Sequence, residues 1–426
     1  MTADEPDRSH GHRHDGLEGG WAVWLAHPVL RIVLGLVALA AAATLMGVVL
    51  LWPDGSGRAE ALSRADTIGL TSQRIGAEVA EVRDAPCSYS TVERPQYCRT
   101  IDVRPDDGPD AGNVIGLGEF NLSQSARPPT VEPGDRVMVG YEPSTDTYFY
   151  ADRDRRTSLL VLGAVFAGVV IALGRGRGVL ALVAMAVTVA VLVGFVAPSV
   201  LDGNDPVLVA VVAASAVAFV SLYLTHGVSP TTTVALAGTL LALLLTLGIT
   251  SLFFAVAQFS GLGTEEALTL PAVVEGIDLP GLLLGGAMLG ALGALDDVTV
   301  TQVATVAELH ARNPALGFGE LLSSGVRVGR EHIASTVNTL LLAYAGASMP
   351  LLLLFAVSNQ SLATIANAEL IAVEIVRTLC GSIGLVAAVP LTTALAAILL
   401  GTRSTAPAAT AGADWADFAP GGELEL

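Results

Sequence analysis

Two aspartates, Asp296 and Asp297, stand side by side at the end of a glycine-flecked apolar run, Gly290-Ala-Leu-Gly-Ala-Leu-Asp-Asp-Val298. A carboxylate inside a membrane marks an ion or proton route by default, whereas one at the interface can simply cap a following helix. Both chemistries are open here, the second as an N-cap for an amphipathic helix over 298–311. A second pair is Glu374 and Arg377, three residues apart and therefore on one helical face. Each charge costs roughly 2.5–3.5 kcal/mol in a bilayer on insertion scales, and pairing lowers that cost. The pair reads either as a packing lock or as part of a route. Asn338, in an otherwise apolar run, needs a polar partner from a neighbouring helix. His332 stands where a proton relay or a solvated interfacial side chain would. Thr232, Thr239, Thr246 and Thr250 recur on one side of another run, as a polar lining or as interhelical glue. His10, His12 and His14 could hold a transition metal weakly, but in a flexible acidic tail they read as binding nothing specific, and no metal site or cofactor is assigned.

These side chains need long apolar helices to position them. The chain has 426 residues, 52% hydrophobic and only 15% charged, which excludes an ordinary soluble domain. Apolar runs fall at 29–51, 158–173, 179–197, 207–224, 233–257, 279–295, 333–357 and 371–400, most near the roughly 20 residues that cross a hydrocarbon core. The expected fold is a polytopic α-helical membrane protein of eight spans. The first run is read as a retained anchor rather than a signal peptide.

Every one of the 22 basic residues is arginine, and their distribution sets the orientation. Arg175, Arg177, Arg312, Arg327, Arg330 and Arg403 mark alternate connections; Asp202, Asp205, Glu265, Glu266, Glu275, Asp278 and Glu369 mark the others. The positive-inside rule then places both termini in the cytoplasm and residues 53–156 outside a bacterial plasma membrane. The net charge of −18 argues against nucleic acid as a partner.

The external segment contains five short β-prone runs, 75–83, 98–103, 113–120, 136–142 and 148–151, separated by turns such as Glu132-Pro-Gly-Asp135. They predict a small β-barrel, OB-like, inserted between the first two spans. Cys87 and Cys98 lie in an oxidising compartment under this topology and are expected to form a disulfide. The expected division is a cytoplasmic histidine-containing disordered tail (1–27), an anchor (28–52), the extracytoplasmic β-rich domain (53–156), a seven-helix bundle (157–401) and a disordered acidic tail (402–426).

Small residues should let the helices approach closely. Gly286, Gly290, Gly293 and Asp297 share one helical face, and Gly381 and Gly384 follow Glu374 and Arg377 on another. The Gly290–Val298 stretch, Glu308-Leu-His-Ala-Arg-Asn-Pro314, and Glu374-Ile-Val-Arg377 followed by Gly381-Ser-Ile-Gly-Leu385 resemble the YibE/F family of bacterial membrane proteins. The resemblance covers most of the chain. It implies an anchor, an external β-rich domain and a polytopic bundle without specifying a biochemistry. It also implies that the family's single motif aspartate corresponds to Asp297, with Asp296 an additional acid.

No nucleotide loop, dinucleotide fingerprint, zinc-protease motif or serine elbow occurs in a suitable context, so an enzyme is not expected. The favoured expectation is a transporter or channel for a small solute or ion, with Asp296, Asp297, Asn338, Glu374 and Arg377 as its polar site. The alternative is a non-transporting scaffold whose β domain binds an envelope partner. The expected partners are the lipid bilayer, an unidentified small solute or ion, and a second copy or an envelope protein.

Overall fold

The computed structural model describes residues 28–68, 72–123, 129–143, 145–358 and 360–401. His10, His12, His14, Arg403 and the two tails lie outside these residues. In chain order the helices are α1 (Pro28–Leu50), α2 (Ser56–Thr67), α3 (Arg156–Val191), which continues through a π-helical turn (Leu192–Val196) into α4 (Ala197–Leu201), α5 (Pro206–His226), α6 (Pro230–Ala257), α7 (Glu265–Val273), α8 (Leu279–Arg312), α9 (Phe318–Ala347), α10 (Met349–Val357), α11 (Leu362–Asn367) and α12 (Glu369–Gly401). Among the described residues, six helical runs are long and apolar enough to cross a membrane, with α9 and α10 together a seventh candidate.

Two departures from the expected spans have local causes. The 46-residue run Arg156–Leu201 holds both spans expected at 158–173 and 179–197. It is broken at Arg175, which has φ 50° and ψ −132°. A Cβ added to Gly178 would collide with the carbonyl oxygen of Val170. An unbroken helix would carry those residues about 12 Å apart along its axis, so the chain folds back here. The run expected at 333–357 is instead α9 and α10, bent by 65° at Ser348. Pro350 sits in the first turn of α10, where its missing N–H costs nothing and its ring disfavours continuation of α9.

A third departure concerns the paired aspartates. α8 runs without interruption through Asp296 and Asp297, so neither is the N-cap of a helix over 298–311. No Gly or Pro breaks the chain between Gly293 and Pro314, and Thr301 and Thr305 bond back to carbonyls within the helix. The helix stops at Asn313-Pro314, where the pre-proline residue leaves the helical region.

The five expected strands are present as β1 (Gln73–Pro86), β2 (Tyr97–Pro105), β3 (Ile115–Asn121), β4 (Arg136–Glu142) and β5 (Thr147–Arg153), all antiparallel in the order β3-β2-β1-β4-β5. Alternation drives the pleat: Ile75, Ala77 and Val79 of β1 point inward with Ile101, Val103, Val137 and Val139. The sheet curls into a half-barrel rather than a closed barrel. Its edge strands β3 and β5 approach through Phe120 and Tyr150, whose rings meet edge-on at 6.1 Å, without a backbone ladder between them. Cys87 and Cys98 form the expected disulfide, tying the end of β1 to β2. At the Glu132–Asp135 turn, Gly134 takes φ 93° and its N–H donates to Val79 O at 2.8 Å.

Arginine clusters where the sheet passes into α3, yet each charge is paired. Arg153 meets Asp135 at 2.9 Å, Arg155 meets Asp152 at 2.7 Å and Arg156 meets Asp154 at 2.6 Å. The Arg156 guanidinium and backbone N–H hold the Asp154 carboxyl down at about 2.

Helix α2 has no side-chain cap from its N-cap residue, Gly55 with φ 84°, and the local Asp54 Oδ1 reaches only the Ser56 N–H at 2.8 Å. The Asp202 carboxylate supplies one instead, accepting from the N–H groups of Gly55 (2.9 Å) and Gly57 (2.8 Å). Gly57 permits this approach, because a Cβ there would collide with Leu201 O and lie 2.6 Å from Asp202 Cα. Arg64, in the last turn of α2, meets Glu275 at 2.6 Å.

The described residues form two compact units, one from 28–47, 210–259 and 283–401, the other from 48–209 and 260–282. The first unit's core joins α1, α6, α8, α9 and α12 through Leu30, Leu321, Leu399 and their neighbours.

Candidate functional site

Close packing in the helical unit starts from glycines that face side chains rather than other glycines. Gly384 of α12 leaves room for Thr246 of α6, and an added Cβ would collide with the Thr246 hydroxyl. At Gly238 of α6, a Cβ would lie 2.5 Å from Thr392 Oγ1 of α12. Gly325 and Gly329 of α9 receive Thr393 and Val389 of α12. Gly381 faces Ala291 loosely, with 3.9 Å from an added Cβ.

The other predicted glycine face behaves differently. Gly286, Gly290, Gly293 and Asp297 of α8 are all exposed, and an added Cβ at Gly286 or Gly293 would meet nothing within 4 Å. Only Gly290 has a neighbour, the Tyr344 hydroxyl at 3.0 Å from such a Cβ. The packed face of α8 carries the larger residues Leu292, Leu295, Val298, Val303 and Val306.

Three polar side chains flank that packed face at intervals of three, and each reaches a different helix. Asp296 accepts a hydrogen bond from Ser221 of α5, 3.1 Å from Oγ to Oδ2. Thr299 meets Thr239 of α6 at 2.6 Å, hydroxyl to hydroxyl. Gln302 donates from Nε2 to Gly325 O of α9 at 2.8 Å and to Thr393 Oγ1 of α12 at 2.7 Å. Thr299 and Gln302 are fully enclosed and satisfied, so they act as polar pins between helices.

Asp296 differs from both. Its Oδ1 is buried and has no hydrogen-bond partner, and among the described residues no basic side chain pairs with it. A carboxylate held this way carries an uncompensated desolvation cost unless a proton or cation neutralises it. Asp297, 100° further round the helix, is exposed.

The predicted threonines of α6 are buried, and three of them are satisfied inside their own helix. Thr239, Thr246 and Thr250 donate to the carbonyls of Ala235, Ala242 and Thr246. This is interhelical packing by hydroxyls whose polarity is already spent on the backbone.

The Glu374–Arg377 ion pair is present at 2.8 Å on α12, with side-chain exposures of 29% and 19%. Arg377 Nε is buried without a partner. Glu374 lines a cavity of about 180 Å³ with Tyr344, Ser348 and Thr378, at the bend between α9 and α10. Asn338 stands apart from this group. It is exposed on α9, nine residues past Gly329 and so on the opposite side from the buried Leu321–Gly325–Gly329 stripe, and among the described residues it has no interhelical partner of the kind expected. His332 is exposed as well.

The structure thus assembles two polar centres, Asp296 with Ser221, and Glu374 with Arg377 and Tyr344. Sequence reasoning passed over Ser221, Thr299 and Gln302. The signal was the three-residue spacing Asp296–Thr299–Gln302, which the neighbouring glycines obscured. Compared with known proteins, residues 162–402 match the family described as YibE/F-like protein. No curated protein and no solved structure matches the chain.

Proposed function

The chain belongs to the YibE/F-like protein family, and from that premise we propose that it is a membrane-embedded pathway for a small solute or ion. The observation that carries this reading is Asp296, a carboxylate among packed helices with one oxygen bonded to Ser221 and the other, among the described residues, to nothing. Unpaired intramembrane acids of this kind belong to substrate and proton routes more often than to scaffolding. The second centre supports the same reading, because it lies beside a broken span, and discontinuous helices form the binding sites of many transporters. Asp297, Asn338, Glu374 and Arg377 are the further candidate residues, and no enzymatic chemistry is assigned.

The proposed topology has eight crossings, both termini in the cytoplasm and residues 53–156 outside a bacterial plasma membrane. Contacts within one unit support its parity. Asp202 caps α2 and Glu275 pairs with Arg64, so the connections near residues 55–64, 202 and 275 lie on one side. An even number of crossings must then separate Arg64 from Asp202, and the fold-back at Arg175 supplies two. The arginines beside α3 are compatible with an external location because they end the long segment 53–156, and long loops translocate largely regardless of charge. The half-barrel's strand order also supports an OB-like description, open between β3 and β5.

A scaffold reading has one observation in its favour. Glu374 and Arg377 pair at 2.8 Å, which suffices to hold a helix without binding anything else. On that reading the β domain would engage an envelope protein. Ion and proton flux in proteoliposomes separates the readings when thermal stability is measured alongside. For a pathway, Asp296→Asn and the double change Glu374→Leu with Arg377→Met should fold and lose flux. Flux that survives in both variants would remove the site assignment, and a wild type that moves no tested ion would favour the scaffold.

A further inference from the structure

We propose that Asp296 is a proton-binding carboxyl that exchanges through a cavity headed by His226. The inference deepens the pathway reading and rests on it: the species handled at this centre is the proton. A cavity of about 330 Å³ opens in the helical unit, with His226, Ser229, Thr231, Thr232 and Glu308 among its lining and Val300 on its wall. Val300 is one turn along α8 from Asp296, about 6 Å along the axis, so the cavity ends one turn short of the carboxyl, which does not itself line it, and a water bridges the gap during exchange. Half of the wall is alanine and valine, and its polar groups are hydroxyls, an imidazole and one acid, which give water a line of partners along one side.

The bonding along α5 gives His226 a defined role. Thr225 has one hydroxyl proton, placed on the Ser221 carbonyl at 2.6 Å. Its 2.7 Å contact with His226 Nδ1 must therefore have the ring donating. Nδ1 keeps its hydrogen, and Nε2 is the nitrogen that gains and loses a proton. One turn back, the Ser221 hydroxyl donates to Asp296 Oδ2, which leaves Oδ1 as the oxygen that takes the proton.

The transfer balances within these groups. An N–H bond at Nε2 breaks, an O–H bond at Oδ1 forms, and a positive and a negative charge vanish together. A metal ion fits the site less well, because one carboxylate oxygen and one hydroxyl are too few donors for a divalent cation. Among the described residues, the charge next to Asp296 on its own helix is Asp297. α6, α9 and α12 contribute the neutral groups Thr239, the Gly325 carbonyl and Thr393 at neighbouring levels.

Infrared difference spectroscopy on the full chain in proteoliposomes, cycled in pH, tests this directly. A protonated carboxylic C=O band should appear on acidification, vanish in Asp296→Asn and remain in Asp297→Asn. His226→Gln should leave its amplitude and slow its appearance after a pH jump by on the order of 100-fold. No such band, or one lost with Asp297→Asn instead, overturns the proposal, as does a band whose rate ignores His226. Should Asp296→Asn fail to fold, Ser221→Ala replaces it: removal of the single hydrogen bond must shift the band, and an unshifted band overturns the assignment. Solute flux without the band would remove the proton site and leave the pathway reading; the band without any flux would do the reverse.

Discussion

Gly384 and Gly286 both belong to glycine-spaced helical faces, yet their surroundings are opposite. Gly384 is buried with the Thr246 hydroxyl where its Cβ would be, while Gly286 opens onto free space. Gly384→Ala should therefore cost about 1–3 kcal/mol through overpacking, and Gly286→Ala should stay within about 0.5 kcal/mol. Thermal unfolding of the two variants in the same detergent checks this, and equal melting points would contradict it. The example shows what side-chain identity alone conveys about this bundle. Spacing groups residues onto a face, but the neighbour decides whether the face is packed. The same ambiguity separates Asp296 from Asp297. They are adjacent in sequence and 100° apart around α8, and only the burial of Leu292, Leu295 and Val298 shows which of them flanks the core.

At the scale of elements, the strands were the most legible. Their inward residues alternate, and turn residues separate them, so all five were readable to within a few positions. Helix continuity was less so. Two apolar runs joined by Gly174-Arg-Gly-Arg-Gly178 fold back without a loop, whereas a single apolar run bends 65° before Pro350. Hydropathy registers how apolar a run is and carries nothing about its direction. The fold-back makes a labelling prediction. Gly176→Cys should react with a membrane-impermeant maleimide only from the cytoplasmic face, and Glu266→Cys only from the outer face. The native thiols do not interfere, since Cys380 is buried and the other two are bonded to each other. Reaction of both from the same face would remove the eight-crossing arrangement.

For the whole molecule, composition pointed to the membrane class, and arginine placement proposes an orientation; the contacts of Asp202 and Glu275 bear only on which connections share a side. The interior polar contacts were not legible, because Ser221, Thr239 and Thr393 come from helices whose mutual packing no local pattern encodes. The division into two units predicts separable stabilities. Reducing Cys87–Cys98 in the full chain should destabilise the half-barrel by about 2–3 kcal/mol, because it frees a short loop in the unfolded sheet. Hydrogen exchange should rise across β1 and β2 and stay unchanged in α6 and α12. Unchanged protection in the strands would show that the disulfide contributes nothing to the sheet.

The Asp202 cap also has a consequence in time. The carboxylate that completes the first turn of α2 lies 147 residues further along the chain. During synthesis α2 emerges early, with only the Ser56 N–H answered locally by Asp54, and its other leading N–H groups must wait until the five strands and both halves of α3 have been made. A segment of 12 residues is too short to hold a helix by itself in water. Although second in sequence, α2 is therefore expected to be finished only after α3 and α4, its ordering reporting that residues 156–202 have already found their places.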